Sequence, residues 1–389
     1  MSDGRRGLGA GAFRGPGSAV SGPVREILRR IIEKGPLTFA EFMEVALYRE
    51  VEGYYTSSQG RWGGGGDYIT SLDVSPVFSS TLAKEVVEMW EVMDRPADFT
   101  LVEAGAGRGW LSKGILDTVR EIRPGLFKVI KARLVEKNPH LRQPPAENIT
   151  WHEDLREVPG PFQGVILTNE LIDSFPVHRV VWRNGLKEIY TGYDGGSFID
   201  VVGPVSTVRL TEYFRDLGVE LAEGQKAEVN LASVDWIKAA GDLLEKGFVV
   251  TIDYGLPARE LYAPERDGTL LCHYRHTLND DPYINIGAQD ITTHVDFTAF
   301  AASGRSAGLQ VTGFTTQKNF LLGLGILEEL KEPASFELEE YEKIKFNREL
   351  SRLITPGGMG DTFKVLVQHK SINKPSLRGF SFKDLSGRL

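Results

Sequence analysis

A run of glycines between a predicted strand and a predicted helix has the residue types of a ligand-binding turn. Glu103 ends the strand, and Gly105, Gly107 and Gly109 follow at alternate positions before a helix that begins near Trp110. Glycine lets the backbone adopt positive φ and approach a ligand closely. A dinucleotide fingerprint requires its third glycine where Trp110 stands, so the run disfavours pyrophosphate binding and a nucleotide-dependent oxidoreductase.

Acidic residues at the ends of the first predicted strands suit a nucleoside ligand that carries an ammonium group. The carboxylate of Glu103 would attract that cation and repel a phosphate. Glu136 ends the next strand and can accept hydrogen bonds from both ribose hydroxyls. Asp154 can accept from an adenine amino group, and Leu155 beside it is also predicted to contact the cofactor. The set favours S-adenosyl-L-methionine as the ligand. The alternative is a tight turn with Glu136 as a solvated strand end.

A second group of polar residues follows the fourth predicted strand, at the edge where parallel sheets bind ligands. Asn169 and Glu170 end the strand, and Asp173 lies three residues further on. Two carboxylates beside a methyl donor can clamp a guanidinium group and stabilise its charge, and methyl transfer by in-line displacement needs no metal. We therefore predict that Glu170 and Asp173 are catalytic and that Asn169 contacts the cofactor. Acids here could instead cap a helix, or one could be a general base for an amine or hydroxyl acceptor.

Several further residues are candidates with an equally simple structural explanation. Thr70 is predicted to contact the cofactor, and Tyr54 and Tyr55 the acceptor, since all three flank a glycine-rich segment; packing in the core is the alternative. His294, with Asp296 near it, is predicted to bind the acceptor, or to be a buried and satisfied histidine. The spacing Cys272-His273-x-x-His276 lacks further clustered soft ligands, so no metal site is predicted.

Short β-rich runs alternate with helical stretches after residue 96, which predicts an α/β fold with a seven-stranded, mostly parallel sheet. The predicted strands are 99–103, 132–136, 149–152, 164–169, 248–253, 309–314 and 363–369. The predicted organisation is a disordered tail (1–22), an N-terminal helical extension with a glycine-rich loop (23–95), the first half of a core (96–176), an inserted β-hairpin/helical subdomain (177–246) and the second half of the core (247–389) with a loop insert (256–291).

Composition limits the partners that the 389-residue chain can have. Its net charge of −8 and pI near 5.6 disfavour nucleic acid and anionic membrane surfaces, which both attract surplus Lys and Arg. One cysteine, Cys272, excludes an internal disulfide framework and favours a reducing compartment. The tail has no continuous apolar run, so neither a secretory signal nor membrane insertion is predicted. The oligomeric state stays open, a homodimer included.

Longer stretches of the chain resemble one family, the bacterial and mitochondrial MidA-like methyltransferases. Besides the glycine run, the matching stretches are PLTFAEFM (36–43), ALY (46–48) with GYY (53–55), GDYIT (66–70), NELIDSFPVH (169–178), THVDF (293–297) and MGDTFKV (359–365). The chain departs from the family pattern at residues 71–73 and at Thr168, which leaves the donor assignment intact.

This resemblance implies a class I (Rossmann-like) methyltransferase with S-adenosyl-L-methionine as donor. For mitochondrial members it also implies an arginine of a partner protein as acceptor and a role in assembly of respiratory complex I, so that an NADH dehydrogenase subunit is the expected substrate. The expected location is the cytoplasm for a bacterial protein and the mitochondrial matrix for a eukaryotic one. The competing hypothesis is a non-catalytic assembly factor or chaperone that binds S-adenosyl-L-methionine as a structural ligand.

Overall fold

A mixed β-sheet with helices on both faces carries the site. The computed structural model describes residues 21–58, 76–144, 146–331, 347–348, 350–355 and 357–389. Thr70 therefore lies outside the described residues. The strands are β1 (Leu37–Thr38), β2 (Phe99–Ala104), β3 (Ile130–Val135), β4 (Ile149–His152), β5 (Phe162–Asn169), β6 (His178–Trp182), β7 (Leu186–Tyr193), β8 (Phe198–Gly203), β9 (Lys226–Val229), β10 (Leu244–Leu256), β11 (Leu271–Tyr274), β12 (Thr277–Asn279), β13 (Asp290–Thr292), β14 (Val295–Asp296), β15 (Gln310–Thr316) and β16 (Phe363–Lys370).

The helices alternate with these strands through the core. They are α1 (Gly22–Lys34), α2 (Phe39–Tyr48), α3 (Pro76–Val92), α4 (Trp110–Ile122), α5 (Pro124–Phe127), α6 (Val208–Leu217), α7 (Leu231–Leu243), α8 (Ala258–Leu261), α9 (Phe297–Ser306), α10 (Gln317–Gly323), α11 (Ile326–Lys331) and α12 (Met359–Thr362). None of the helices in the described part of the chain is long and apolar enough to cross a membrane.

The central sheet has the strand order β15-β16-β10-β5-β2-β3-β4. Strands β10, β5, β2, β3 and β4 are parallel to one another, whereas β16 runs antiparallel to both of its neighbours. All seven segments predicted as strands belong to this sheet. Among the described residues the sheet has eight strands rather than seven, because the two-residue β14 pairs in parallel with the end of β10.

Both faces of the sheet are covered, which explains why its central strands are almost continuously apolar. All six residues of β2 are buried. Helices α3, α4 and α10 pack on one face in a cluster that includes Phe78, Ile115 and Phe320. Helices α7 and α9 pack on the other face through Ile237 and Phe300. Parallel strands held in this way place their carboxyl ends along one edge of the sheet.

The N-terminal extension begins with two helices, and the second is capped by Thr38 and Glu41. The hydroxyl of Thr38 accepts from the Glu41 N–H at 3.2 Å, and the Glu41 carboxylate accepts from the Thr38 N–H at 2.9 Å. This reciprocal pair satisfies two donors that the helix itself cannot satisfy. Helix α2 then packs through Phe42 and Met43 in a separate core cluster.

The two inserts contain more strands than the sequence predicts. The predicted hairpin is a three-stranded meander, because β8 follows β6 and β7 and pairs with β7. The turn before β8 is held by the Asp194 carboxylate, which accepts from the Gly196 and Ser197 N–H groups. Strands β1 and β9 complete that antiparallel sheet. The segment 256–291, predicted as loop, contains α8 and the strands β11 and β12 of a small three-stranded sheet. Short antiparallel pairs of this kind depend on contacts that a glycine- and proline-rich sequence does not reveal.

Candidate active site

The glycine turn after β2 needs the backbone freedom that its sequence predicts. Gly105, Gly107 and Gly109 have φ values of 74°, 54° and 73°, and Gly109 precedes the first residue of α4. A Cβ atom on Gly109 would lie 2.6 Å from Leu134 Cδ2, closer than side chains approach. A Cβ on Gly107 would meet nothing within 4 Å. Backbone conformation therefore favours glycine at both 107 and 109, and packing against Leu134 restricts only Gly109.

Glu136 joins the glycine turn to the loop that follows β3. One carboxylate oxygen accepts from the Gly107 N–H at 2.8 Å, and the other accepts from the Asn138 N–H at 2.7 Å. Burial raises the pKa of Glu136, and these two hydrogen bonds oppose the rise. The Asn138 side chain donates in turn to the carbonyls of Tyr55 and Ser57, at 2.8 and 3.1 Å. Asn138, which the sequence analysis does not identify, thus attaches the N-terminal extension to this edge of the sheet.

A pocket of about 590 Å³ opens at the carboxyl ends of β2, β3 and β5. It is lined by Glu44, Tyr48, Tyr55, Ala104, Gly105, Val135, Glu136, Lys137, Glu153, Asp154, Leu155, Arg156, Glu170, Leu171, Ser174, Phe175, Pro176, Ala232, Asp235, Trp236 and Ala239. The structure thus brings together six residues chosen from the sequence, namely Tyr55, Gly105, Glu136, Asp154, Leu155 and Glu170. Gly107 and Gly109 continue the turn that Gly105 begins.

Glu103 is buried beneath the start of α4. The side chain is only 3% exposed and does not line the pocket. Its carboxylate accepts from the Ser112 N–H at 3.0 Å, in the first turn of α4, and burial raises its pKa to about 7. A group held in this way stabilises the start of the helix behind the glycine turn. The ion pair of Glu103 with a ligand ammonium, predicted from its place at the strand end, stays a prediction.

Asp154 and Leu155 line the pocket beyond β4. The Asp154 carboxylate binds the Arg156 guanidinium at 2.7 Å, and this hydrogen bond holds the pKa of Asp154 below its ordinary value. Leu155 is 5% exposed and belongs to the core on one side of the sheet. The pair thus presents one ion-paired carboxylate and one apolar side chain.

The turn at residues 170–174 carries the predicted catalytic carboxylates and is held by hydrogen bonds from several elements. Glu170 has φ of 55°, and its N–H donates to the Ile252 carbonyl at 3.0 Å. The buried Asp253 carboxylate accepts from the N–H groups of Ile172 and Asp173, at 2.9 and 3.3 Å. Asp253 is not among the residues predicted from the sequence, although it ends a predicted strand, as Glu136 does.

Asp173 lies behind the pocket wall rather than in it. It is 6% exposed and is not itself a lining residue, whereas its neighbours Leu171 and Ser174 line the pocket, and its catalytic role stays a prediction. Its Oδ2 atom accepts from the Tyr254 hydroxyl, while its Oδ1 atom is buried without a hydrogen-bond partner among the described residues. Burial raises the pKa of Asp173 to about 6, and the Tyr254 hydrogen bond opposes that rise.

The N-terminal extension contributes a wall of the pocket through Glu44, Tyr48 and Tyr55. The rings of Tyr48 and Tyr55 stack with centroids 5.4 Å apart. The Tyr55 hydroxyl donates to Asp290 at 2.6 Å, and the Tyr48 hydroxyl donates to the Ser174 carbonyl at 3.1 Å. These bonds connect the extension to the second insert and to the turn of Glu170. Tyr48 has no local sequence signal, since it lies within an ordinary amphipathic helix.

Other predicted residues lie away from the pocket. Tyr54 is 1% exposed and packs in the core cluster of α2, which agrees with the alternative of core packing. His294 is partly buried against Tyr254, with ring centroids 5.5 Å apart, and burial lowers its pKa to about 4. Asp296 does not orient it, because that carboxylate caps α9 and accepts from the Tyr213 hydroxyl at 2.8 Å.

Asn169 and Cys272 also have defined surroundings. The Asn169 amide donates to the Glu170 carboxylate at 3.1 Å, and Asn169 does not itself line the pocket. Cys272 is fully buried, and burial raises the pKa of its thiol to about 12. In the part of the chain that the structure describes, no group of three or more His, Cys, Asp or Glu side chains is arranged to hold a metal ion.

The pocket suits a cationic nucleoside better than a phosphate. Among the described lining residues, six side chains are carboxylates and only Lys137 and Arg156 are cationic, so the local potential opposes a phosphate. A glycine turn with positive φ, the Glu136 carboxylate and the apolar Val135 and Leu155 side chains are the groups that a nucleoside requires. The volume also falls within the roughly 300–1,000 Å³ of small-molecule sites. These residues fit S-adenosyl-L-methionine.

Comparisons with known proteins agree with this geometry. Residues 81–315 match the model of the Methyltransf_28 family of S-adenosyl-L-methionine-dependent methyltransferases. The mitochondrial protein arginine methyltransferase NDUFAF7 homolog of Drosophila melanogaster is 25% identical, over 90% of this chain and 85% of its own. The Danio rerio protein arginine methyltransferase NDUFAF7 is 27% identical, over 88% and 85% of the two chains.

Solved structures extend the similarity to the whole described fold. A Burkholderia thailandensis protein, crystallised with S-adenosyl-homocysteine, superposes with a TM-score of 0.84 at 29% identity, covering 94% of this chain and 96% of its own. A native crystal structure from the same organism superposes with a TM-score of 0.81 at 30% identity and the same coverage.

Proposed function

Because the chain belongs to the Methyltransf_28 family and is an S-adenosyl-L-methionine-dependent methyltransferase, we propose that it methylates an arginine side chain of a partner protein. The observation that carries this proposal is the position of Glu170, which lines the donor pocket on a turn with a second carboxylate, Asp173, behind it. Two carboxylates can bind a guanidinium group through several charge-assisted hydrogen bonds. The curated relatives are named protein arginine methyltransferases, which supports the same acceptor.

The donor is held, in this proposal, by the turn after β2 and by the ends of the next two strands. Gly105, Gly107 and Gly109 provide close backbone contact, and Glu136 accepts from the ribose hydroxyls. Asp154 and Leu155 bind the adenine, the first through its edge and the second through its face. Glu103 acts indirectly, by holding the start of α4. Asn169 and Thr70 complete the donor contacts, the former through Glu170.

The carboxylates would act on the acceptor by orientation and by charge. When bound, S-adenosyl-L-methionine supplies a methyl group on a positively charged sulfur, which leaves as the neutral thioether. Glu170 accepts hydrogen bonds from the guanidinium and directs one nitrogen along the line of attack. Glu170 also accepts the proton that this nitrogen loses as its bond to the methyl carbon forms, and the charge of the Asp173 carboxylate behind it stabilises the cation.

We further propose that the extension and the first insert bind the acceptor protein. The extension supplies Glu44, Tyr48 and Tyr55 to the pocket, and α7 supplies Asp235 and Trp236. These side chains surround the entrance and are suited to a cationic peptide. The proposed functional units are 1–22, 23–95, 96–176, 177–246 and 247–389, and His294 of the last unit lies behind Tyr254 rather than at the pocket.

A subunit of a respiratory NADH dehydrogenase is the proposed acceptor, by analogy with the named relatives. The location follows from that partner, namely the mitochondrial matrix in a eukaryote and the cytoplasm in a bacterium.

Transfer of labelled methyl groups tests the proposal. The purified protein is incubated with tritiated S-adenosyl-L-methionine and a desalted lysate of cells that lack its gene, which supplies unmethylated acceptors. We expect one or few labelled protein bands that yield methylarginine on acid hydrolysis, and none with S-adenosyl-homocysteine in excess. Label in lysine or in nucleic acid would contradict the proposal. Calorimetric binding of the donor without any labelling would favour the non-catalytic assembly factor instead.

A further inference from the structure

The carboxylate of Asp173 accepts a hydrogen bond from one side chain, that of Tyr254, and the neighbouring backbone N–H of Ser174 also lowers its pKa. Its Oδ2 atom accepts from the Tyr254 hydroxyl, and its Oδ1 atom has no hydrogen-bond partner in the described part of the chain. A buried carboxylate oxygen without a donor is costly, since the protein gains nothing in return for its lost hydration. A buried carboxylate kept at this cost, directly behind the turn that carries Glu170, is explained if its negative charge serves the neighbouring pocket.

Tyr254 is itself held in a fixed position at the carboxyl end of β10. Its ring meets the rings of His294 and Phe363 edge-on, with centroids 5.5 and 5.6 Å away. The preceding residue, Asp253, accepts from the N–H groups of the turn that carries Asp173. The carboxyl end of β10 is therefore bonded to this turn twice, through the Asp253 carboxylate and through the Tyr254 hydroxyl.

We propose that Tyr254 is a positioning residue for methyl transfer, because its hydroxyl fixes the Asp173 carboxylate behind the turn that carries Glu170, where the negative charge of Asp173 supports the acceptor site. This inference rests on the proposed role of Asp173 and adds a residue that the sequence does not single out. Tyr254 touches neither donor nor acceptor in this proposal. It restricts a carboxylate that could otherwise rotate to one productive orientation.

The charged and titratable groups around Asp173 determine how the carboxylate titrates. Tyr48 from the extension, Glu170 on the same turn, and Asp253 and Tyr254 on β10 face it, and His294, flanked by Arg266 and Lys364, lies behind the Tyr254 ring. Loss of the Tyr254 hydroxyl removes a hydrogen bond that lowers the pKa of Asp173. The ionised form of Asp173 would then be lost at a higher pH than in the wild type.

The substitution Tyr254→Phe tests the proposal, with Tyr213→Phe as a matched control. Tyr213 also donates its hydroxyl to a buried carboxylate, that of Asp296, but away from the pocket. With tritiated donor and the gene-deleted lysate, we expect Tyr254→Phe to slow labelling about 10- to 100-fold, the range for a hydrogen bond to a charged group. The acidic limb of its pH–rate profile should move to higher pH, with donor affinity unchanged. Tyr213→Phe should keep the wild-type rate and profile.

A double-mutant cycle with Asp173→Asn separates positioning from damage to the fold. If Tyr254 acts through Asp173, Tyr254→Phe should have little further effect once Asp173 is Asn. Independent, multiplying effects of the two changes would overturn the proposal, and so would a wild-type rate and pH profile for Tyr254→Phe. If the wild type labels a residue other than arginine, the proposed acceptor fails while the cycle still decides the role of Tyr254. If it labels nothing, both proposals are wrong.

Discussion

Replacement of Glu170 by Gln is the most direct test of the proposed acceptor site. The residue is held by its backbone, through positive φ and a hydrogen bond from its N–H to Ile252, and both are independent of the side-chain charge. The amide of Asn169 donates to a Glu170 carboxylate oxygen, and the amide oxygen of Gln can accept the same bond. Glu170→Gln therefore removes one negative charge from the pocket wall and leaves its shape.

The energetic cost of removing that negative charge follows from the surroundings of Glu170. Glu170 is half-buried, so an effective dielectric constant of about 20 applies, and a cation about 4 Å away is then stabilised by about 4 kcal/mol. The neutral amide retains hydrogen bonding and recovers part of this energy. Loss of one charge-stabilising group in an active site typically costs about 2.7–4 kcal/mol, or about 100- to 1,000-fold in kcat. We expect Glu170→Gln to fall in that range.

The assay follows formation of S-adenosyl-homocysteine and methylarginine with the lysate acceptor, alongside calorimetric titration of the donor. Donor affinity should change little, because the amide oxygen of Gln keeps the hydrogen bond from Asn169 and the glycine turn and Glu136 are untouched. Asp98→Asn is the control, since Asp98 is an exposed carboxylate at the opposite end of the sheet that pairs with Lys131 at 2.8 Å. A Glu170→Gln variant within threefold of the wild-type rate would refute the assigned role of the carboxylate.

Three further predictions concern the framework of the site. Asp253→Ala should lower the free energy of unfolding in urea by about 1–3 kcal/mol for each N–H left without an acceptor, and Asp253→Asn should lower it less; equal losses would contradict the assigned bonds. Gly107→Ala and Gly109→Ala each introduce a backbone strain of about 1–2 kcal/mol, but only Gly109→Ala also introduces a clash with Leu134. The Gly109→Ala variant should therefore have the lower melting temperature of the two. Glu103 has its pKa raised from 4.5 to about 7 on folding, so its stabilising contribution is complete below pH 4.5 and is lost as the pH rises to about 7. Glu103→Gln should remove up to about 3 kcal/mol of this pH dependence. The free energy of unfolding in urea is measured at pH 5 and pH 8, and an equal change between the two pH values in variant and wild type would refute the prediction.

The hydrogen bonds that shape the pocket join elements far apart in the chain. The Asp253 and Tyr254 bonds to the turn of Glu170 each span about 80 residues, and the bond between Tyr48 and Ser174 spans 126. Each crosses from one structural unit to another. The pocket therefore depends on contacts between distant parts of the chain, whereas its glycine turn depends only on neighbouring residues.

Local pattern by itself determined the strands of the core, the capped helix after Thr38 and the glycine turn, because periodicity, caps and positive φ depend on neighbouring residues. It also identified Glu136, Asp154 and Glu170, since parallel strands place their carboxyl ends at one edge. This reasoning works wherever a residue's position along its own strand also fixes its place in the fold.

Only the tertiary structure decided which side chains reach the pocket and which lie behind it. Glu103 lies near the end of β2, but its carboxylate bonds to the start of α4, and Asp173 lies on the turn after β5, where its carboxylate bonds to Tyr254. Tyr48 and Asn138 enter the site from elements whose sequences carry no such signal. The physical reason is that exposure and hydrogen-bond partners depend on packing between distant segments, which the spacing of residues along the chain does not encode.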